Sequence, residues 1–324
     1  MPRDILLMRH GKARRKADSD FHRPLKNRGK RAAQRMGAWL AGQDLLPDII
    51  LTSPAVRARE TAHKACKAMG LTTERIREEP LIYLGNVNSL FTVLGSCPAD
   101  AQRVLLVGHN PGLEALLCQL VMRPLQQDDE RKLLPTAALA HLQTEYSWDR
   151  LTPGCATLQG IKRPRQLPDL FPFPLPGGGM EQRERPAYYY TQSAVIPYRL
   201  NNGEAEILII TSSSGRHWVV PKGIAEPGLS LQASAEKEAR EEAGVTGHVQ
   251  TEALGHYCYP KWGAECSVAV YAMQVSGEIP ENEREEQHRE RQWATPEEAM
   301  QKMHQPSLAE MIPVLTDRLE NGPS

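Results

Sequence analysis

The stretch Gly223-Ile-Ala-Glu-Pro-Gly-Leu-Ser-Leu-Gln-Ala-Ser-Ala-Glu-Lys-Glu-Ala-Arg-Glu-Glu-Ala-Gly-Val245 reads as a loop, a helix and a second loop. From Ser230 to Ala243 most residues are good helix formers, with Ser230 placed as N-cap and Gly244 where a left-handed cap would end the helix. Glu238, Glu241 and Glu242 then fall at i, i+3 and i+4, side by side on one helix face. Like charges at that spacing repel by a few tenths of a kcal/mol, roughly, per pair unless a cation sits among them. Hard carboxylate oxygens of this kind suit Mg2+.

The stretch resembles the Nudix box, G-x5-E-x7-R-E-U-x-E-E-x-G-U, where U is a bulky apolar residue. Gly223, Glu238, Glu241, Glu242, Gly244 and Val245 match it; Leu229 stands in place of the first Glu, Lys237 in place of the Arg, and Ala239 is a small U residue. Trp218 to Gly223 is similar to the family's entry strand and turn, with Lys222 and Gly223 as substrate-binding positions. The resemblance implies Mg2+-dependent hydrolysis, with Mn2+ as the alternative ion, of a nucleoside diphosphate linked to another group. It implies that Glu238, Glu241 and Glu242 bind the metal, and that the altered positions 229 and 237 brace loop against helix.

Working outward, 324 residues exceed the length at which one core keeps growing, so two domains are expected. Net charge is zero but unevenly divided: residues 1–160 carry 23 Lys plus Arg against 16 Asp plus Glu, and residues 161–324 carry the reverse. A basic half suits phosphorylated ligands and an acidic half suits a cation cage. The six cysteines are scattered without a Cys-x-x-Cys pair, which fits reduced thiols in a cytoplasm. No apolar run approaches 18 residues and none leads to a cleavage site, so neither a membrane segment nor a targeting segment is expected.

In the N-terminal half, Ile5 to Met8, Ile49 to Thr52 and Val104 to Val107 read as short buried parallel strands. A helix from Asn27 to Ala41 follows the first, and Ser53-Pro54 after the second reads as N-cap and first helical residue of another. Each strand delivers a cation or imidazole just past its C-terminal end: Arg9 and His10, then Arg57, then His109. In open α/β sheets that edge is where ligands bind. Two guanidinium forks with two imidazoles suit phosphoryl handling, because the forks match phosphate oxygens and an imidazole can act as nucleophile. The run Lys12, Arg14, Arg15 and Lys16 is read equally as a steering patch or a solvated loop.

Met8-Arg9-His10-Gly11, Thr52 to Ala62, and Val107-Gly108-His109-Asn110-Pro111-Gly112 resemble the histidine phosphatase superfamily, most closely its small SixA-like branch, over about residues 3–165. The resemblance implies that His10 is the nucleophile, that Arg9, Arg57 and His109 hold the phosphoryl group, and that no metal is needed. For the proton donor it points only to an acid ahead of the third motif, with Glu79, or its neighbour Glu78, as candidate.

Residues 163–186 are Pro- and Gly-rich and read as an interdomain linker, with Phe171 and Phe173 as residues that could pin it to a surface. Beyond it, strands are expected at Ser193 to Arg199 and Glu206 to Thr211 across an Asn201-Asn202-Gly203 turn, at Trp218 to Val220, Gln250 to Tyr259 and Cys266 to Val275. Helices are expected at Pro296 to Met303 and Gln305 to Leu319. The acidic run Glu281 to Glu290 is read as a solvated loop, or as the source of an extra ligand or base, Glu286 or Glu290.

The expectation is an α/β protein of two domains: a three-layer α/β/α phosphatase fold over 1–162, the linker 163–186, and a Nudix α/β/α sandwich with a mixed sheet over 187–324. Two phosphate-cleaving constellations imply a bifunctional hydrolase of phosphorylated small molecules. Dinucleoside polyphosphates and diphosphoinositol polyphosphates are the favoured substrates. The alternatives are removal of oxidised nucleotides, and dephosphorylation of a phosphohistidine protein with the Nudix half as nucleotide sensor. Neither nucleic acid nor membrane is an expected partner.

Overall fold

The structure, a computed structural model, describes residues 2–123 and 133–321. The chain divides into two compact units, Met1–Gln182 and Arg183–Ser324.

The first unit runs β1 (Arg3–Arg9), α1 (Asn27–Gly42), β2 (Ile49–Thr52), α2 (Val56–Ala68), β3 (Ile76–Glu78), α3 (Val87–Gly95), β4 (Arg103–Gly108), α4 (Gly112–Val121), β5 (Leu139–Thr144) and β6 (Thr157–Lys162). The sheet order is β3-β2-β4-β1-β5-β6, with β3, β2, β4 and β1 parallel and β5 and β6 antiparallel. Residues 5–8 of β1, 49–51 of β2 and 104–107 of β4 are continuously apolar because both faces are covered there. Ile5, Leu7, Leu51 and Leu106 pack towards α3 and α4, while Leu6, Met8, Ile50 and Leu105 pack towards α1 and α2. The result is the expected three-layer sandwich. Helices α1 and α2 approach so closely that a Cβ on Gly37 would stand 2.2 Å from the Ala65 carbonyl oxygen.

Part of the segment expected as linker is bound to this unit. Strand β7 (Phe171–Pro174) pairs with β8 (Met180–Arg183) in a small two-stranded sheet. Phe171 is 1 % exposed with the Arg31 guanidinium 5.4 Å from its ring centre, and Arg35 donates to the carbonyls of Pro164 and Leu167. An apolar ring with a cation against it overrides the flexibility that the Pro and Gly content suggests.

The second unit runs β9 (Thr191–Asn201), β10 (Glu204–Thr211), β11 (Trp218–Val219), β12 (Lys222–Ile224), α5 (Leu231–Glu238), a π-helical turn (Ala239–Ala243), β13 (Val245–Val249), β14 (Gly255–Lys261), β15 (Ala264–Glu278), β16 (Arg291–Ala294), α6 (Pro296–Lys302), α7 (Pro306–Ala309) and α8 (Met311–Asn321). Its sheet is mixed: β9 is parallel to β15 and antiparallel to β10 and β12. Ala235, Ala239 and Ala243 cover one face against Val195, Leu208 and Tyr271; Leu308, Ile312 and Leu315 cover the other against Ile196 and Ile209. The fold is therefore an α/β/α sandwich as expected.

Local departures have local causes. Ser53 is not the N-cap of α2; the cap position is Ala55, whose own backbone N–H donates to Ser53 Oγ at 3.2 Å. The strand expected from Gln250 begins only at Gly255, because residues 250–254 bend between β13 and β14. The helix expected over 305–319 is broken into α7 and α8. Among the described residues no helix is long and apolar enough to cross a membrane.

Candidate active sites

The C-terminal ends of β1, β2 and β4 bring His10, Arg57 and His109 together. The imidazole centres of His10 and His109 are 5.1 Å apart, and both residues are 8 % exposed. His10 Nδ1 lies 2.7 Å from its neighbour's carbonyl, that of Gly11. A carbonyl can only accept, so Nδ1 carries the proton and Nε2 keeps its lone pair. Burial pushes His10 down to about 4, against the Gly11 hydrogen bond, and the Arg57, Arg9 and Arg23 charges add to the fall. Burial also takes His109 to about 3, with His10 and Arg57 adding and Asp20 opposing.

Backbone and side-chain partners fix this cluster. Arg9 donates through Nη1 to the Leu134 carbonyl at 3.0 Å. His109 Nε2 meets Ser53 Oγ at 2.8 Å, and the same oxygen accepts from the Ala55 backbone N–H at 3.2 Å. Arg9 Nε, Arg57 Nε and His109 Nδ1 are buried without a hydrogen-bond partner among the described residues. Buried arginine donors in that condition are costly unless an anion meets them.

Sequence reading missed Asp20. Its carboxylate meets Arg57 Nη2 at 2.8 Å and Arg23 Nε at 3.0 Å, and Tyr83 OH donates to it at 3.3 Å. Burial would raise this carboxyl, but the Arg57 and Arg23 charges prevail and hold it below the usual range. Nothing local flags Asp20, since it lies in an irregular loop 37 residues from Arg57. Glu79 is ion-paired with Arg77 at 2.6 Å, and Glu78 lies 3.7 Å from Arg59. The carboxylate placed on the Arg57 guanidinium is thus Asp20, not either glutamate.

In the second unit, Ser230 caps α5 as expected, accepting from Ala233 N at 3.0 Å, and Gly244 ends the helix at φ +65°. The helix between them is not regular. The π turn over Ala239–Ala243 widens the last turn beyond the regular α-helix assumed by the i, i+3, i+4 spacing, while the Glu242 and Glu241 charges still act on Glu238. Glu242 accepts from the Lys222 backbone N–H at 3.0 Å and from Arg289, whereas Glu241 turns to Lys237 at 3.7 Å. Burial raises Glu238 to about 7, with the Glu242 and Glu241 charges adding. Glu242 is raised by burial too, against the Lys222 N–H and Arg289.

Among the described residues no group of three or more His, Cys, Asp or Glu is closed around a metal position. The donor set nevertheless fits a hard divalent cation. A Cβ on Gly223 would stand 1.9 Å from Glu238 Oε1, so only glycine leaves room for that carboxylate against the entry strand. Repulsion among Glu238, Glu241 and Glu242 is what a bound cation relieves. Glu286 is paired with Arg289, which also holds Glu242, while Glu290 is exposed and its backbone pairs with Thr211. Lys222 Nζ meets Gln192 Oε1 at 3.2 Å and Tyr259 OH at 3.3 Å, and burial lowers its pKa.

Comparison with known proteins agrees with both halves. The NUDIX domain family matches residues 190–315, and the histidine phosphatase superfamily (branch 1) matches residues 5–81. A phosphohistidine phosphatase SixA homolog of Haemophilus influenzae is 34% identical over 126 residues, 36% of this chain and 76% of its own. The mitochondrial Nudix hydrolase 16 of Arabidopsis thaliana is 31% identical over 138 residues, 36% of this chain and 74% of its own. A solved structure of the protein histidine phosphatase SixA complexed with tungstate shares 25% identity at a TM-score of 0.43, covering 50% of this chain and 98% of that one. The chain belongs to the histidine phosphatase superfamily through its N-terminal half and to the Nudix family through its C-terminal half, and is a bifunctional phosphohydrolase acting on phosphate esters and anhydrides.

Proposed function

We propose that His10 is the nucleophile of a metal-independent phosphatase site and that Glu238, Glu241 and Glu242 hold Mg2+ for cleavage of a phosphoanhydride, in a dinucleoside polyphosphate or a diphosphoinositol polyphosphate. The observation that carries the first half is the tautomer of His10: with Nδ1–H committed to Gly11, the lone pair is left on Nε2, in a ring whose centre is 5.1 Å from that of His109 and which feels the Arg57 charge. Nε2 attacks phosphorus as the bond to the leaving group breaks, and the leaving group takes a proton. Water then attacks the phosphohistidine, loses a proton, and releases phosphate and neutral His10. Arg9, Arg57 and His109 hold the phosphoryl oxygens, the buried unpartnered Nε–H groups of the two arginines being donors of the right kind. Asp20 holds Arg57 and Arg23 in place.

In the Nudix half, Glu238 and Glu242 are the principal ligands and Glu241 the third. A bound Mg2+ would polarise phosphoryl oxygens and neutralise developing charge. Lys222 holds a substrate phosphate and Arg289 fixes Glu242. Oxidised nucleotides are the competing substrate class for this half.

A second reading of the phosphatase half follows from its relatives, named for phosphohistidine: the substrate is a phosphohistidine protein, whose imidazole is a good leaving group. A panel of dinucleoside polyphosphates, diphosphoinositols, oxidised dNTPs and phosphohistidine protein, with and without Mg2+, separates these. His10→Ala should abolish phosphatase turnover and spare phosphoanhydride cleavage. Glu242→Gln should do the reverse, by about a hundredfold or more in kcat. Loss of both activities from either substitution in folded protein would refute two separate sites.

A further inference from the structure

The run Lys12, Arg14, Arg15 and Lys16 follows His10 out of β1, at the sheet edge that carries the phosphatase cluster. The fold does not let it spread into solvent. The Lys12 carbonyl accepts from the Lys26 N–H at 2.8 Å, the Arg14 N–H donates to the Pro24 carbonyl at 2.8 Å, and Ala13 bridges to Leu25. Lys26 is the cap residue of α1 and Arg28 stands in its first turn, so a second cationic segment is fastened beside the first. The two backbones approach so closely that a Cβ on Gly29 would stand 2.4 Å from the Lys12 carbonyl oxygen.

No acid balances these cations. Among the described residues, none of the side chains of Lys12, Arg14, Arg15, Lys16, Lys26 and Arg28 has an ion-pair or hydrogen-bond partner. Two neighbouring carboxylates are committed elsewhere, Asp20 to Arg57 and Arg23, and Glu60 to Lys30 and the Leu25 N–H. Asp18, exposed in the same loop, pairs with none of them. Lys12 registers the crowding: burial lowers its pKa, and the Arg28, Arg15, Lys26 and Arg9 charges add to the fall. Arg9 in that group ties the patch to the phosphoryl cluster. Like charges held together by the backbone oppose folding, and a polyanion turns that cost into binding. A single phosphoryl group is already met by Arg9, Arg57 and His109, so cations beyond them need further phosphates.

We infer that Lys12, Arg15, Lys26 and Arg28 form a second anion subsite of the phosphatase unit, holding the further phosphates of a small polyphosphorylated substrate while His10 takes the phosphoryl group that is transferred. The inference rests on the proposed His10 reaction. It selects a free polyanion over a phosphohistidine protein, whose leaving imidazole carries no further phosphate.

The test is inhibition of p-nitrophenyl phosphate hydrolysis by the full chain in EDTA, with inorganic phosphate and, separately, inorganic tripolyphosphate as competitors. In wild type the tripolyphosphate Ki should lie at least about tenfold below the phosphate Ki. That gap should narrow as salt rises from about 0.1 to about 1 M, where the screening length falls from about 10 to about 3 Å. The double variant Lys12→Ala, Arg28→Ala should shrink the gap to within about threefold, while Lys12→Arg keeps it. Equal inhibition by the two anions in wild type, or an unchanged gap in the double variant, would overturn the inference. A phosphohistidine protein whose kcat/KM falls about tenfold in the double variant, with the gap intact, would assign the patch to a protein substrate and overturn it too. The parent reading fails separately, and the inference with it, if wild type does not hydrolyse p-nitrophenyl phosphate or His10→Ala keeps full turnover.

Discussion

His10 and His109 are buried imidazoles ringed by arginines, and each has its own consequence for proton binding. Both should stay neutral well below the ordinary imidazole value of 6.5, His10 to about 4 and His109 to about 3. NMR titration of ring nitrogens should find both uncharged at pH 5.5; inorganic phosphate should raise both values by supplying negative charge. The residues of this cluster that sequence could reveal are those at strand ends, because a strand end in an α/β sheet is a fixed address. Asp20 and Ser53 could not be read in this way. Asp20 lies in a loop whose path depends on tertiary contacts, and Ser53 serves both the backbone ahead of α2 and the His109 imidazole, the second of which only the fold brings to it.

The box helix shows what element-level reading gains and loses. Its N-cap and its C-terminal glycine were legible, since capping is local. Its π turn was not, because glutamate and alanine fit an α or a π turn alike. Nor was its brace. Leu229, expected to pack loop against helix, is 37 % exposed, and Lys237 reaches instead to Glu226, which is 9 % exposed and whose backbone N–H is held by Ser234 Oγ at 3.0 Å. The charge pair lost at positions 229 and 237 is thus rebuilt from Glu226, three residues earlier. Leu229→Ala should therefore change stability by less than about 0.5 kcal/mol. Glu226→Ala should cost about 1–3 kcal/mol, and a double-mutant cycle with Lys237→Ala should show coupling. Equal effects of Leu229→Ala and Glu226→Ala on Tm would refute the rebuilt brace.

At the scale of the whole chain, two compact units imply two responses to ligand and to acid. In calorimetry of the full chain, Mg2+ at a hundred times its Kd should stabilise one transition by about 2.7 kcal/mol and leave the other in place, and Glu242→Gln should erase the shift. Acid should act on the phosphatase unit. Since the folded values of His10 and His109 lie below the unfolded 6.5, the unfolded chain takes up protons that the folded one refuses. The stability from these two groups is complete above about pH 6.5 and is lost as pH falls, towards 4 for His10 and towards 3 for His109. His10→Gln should flatten that part of the profile. The close approach of α1 and α2 adds a constraint of another sort. Gly37 lies against Ala65, while Arg57 lies two turns back along the same α2. A methyl group at residue 37 would act as a wedge, sliding α2 along the sheet and carrying the guanidinium off target. Gly37→Ala should thus mimic an active-site lesion, lowering phosphatase kcat in protein that still folds, although its cause lies in the hinge line between two helices and touches no reacting group.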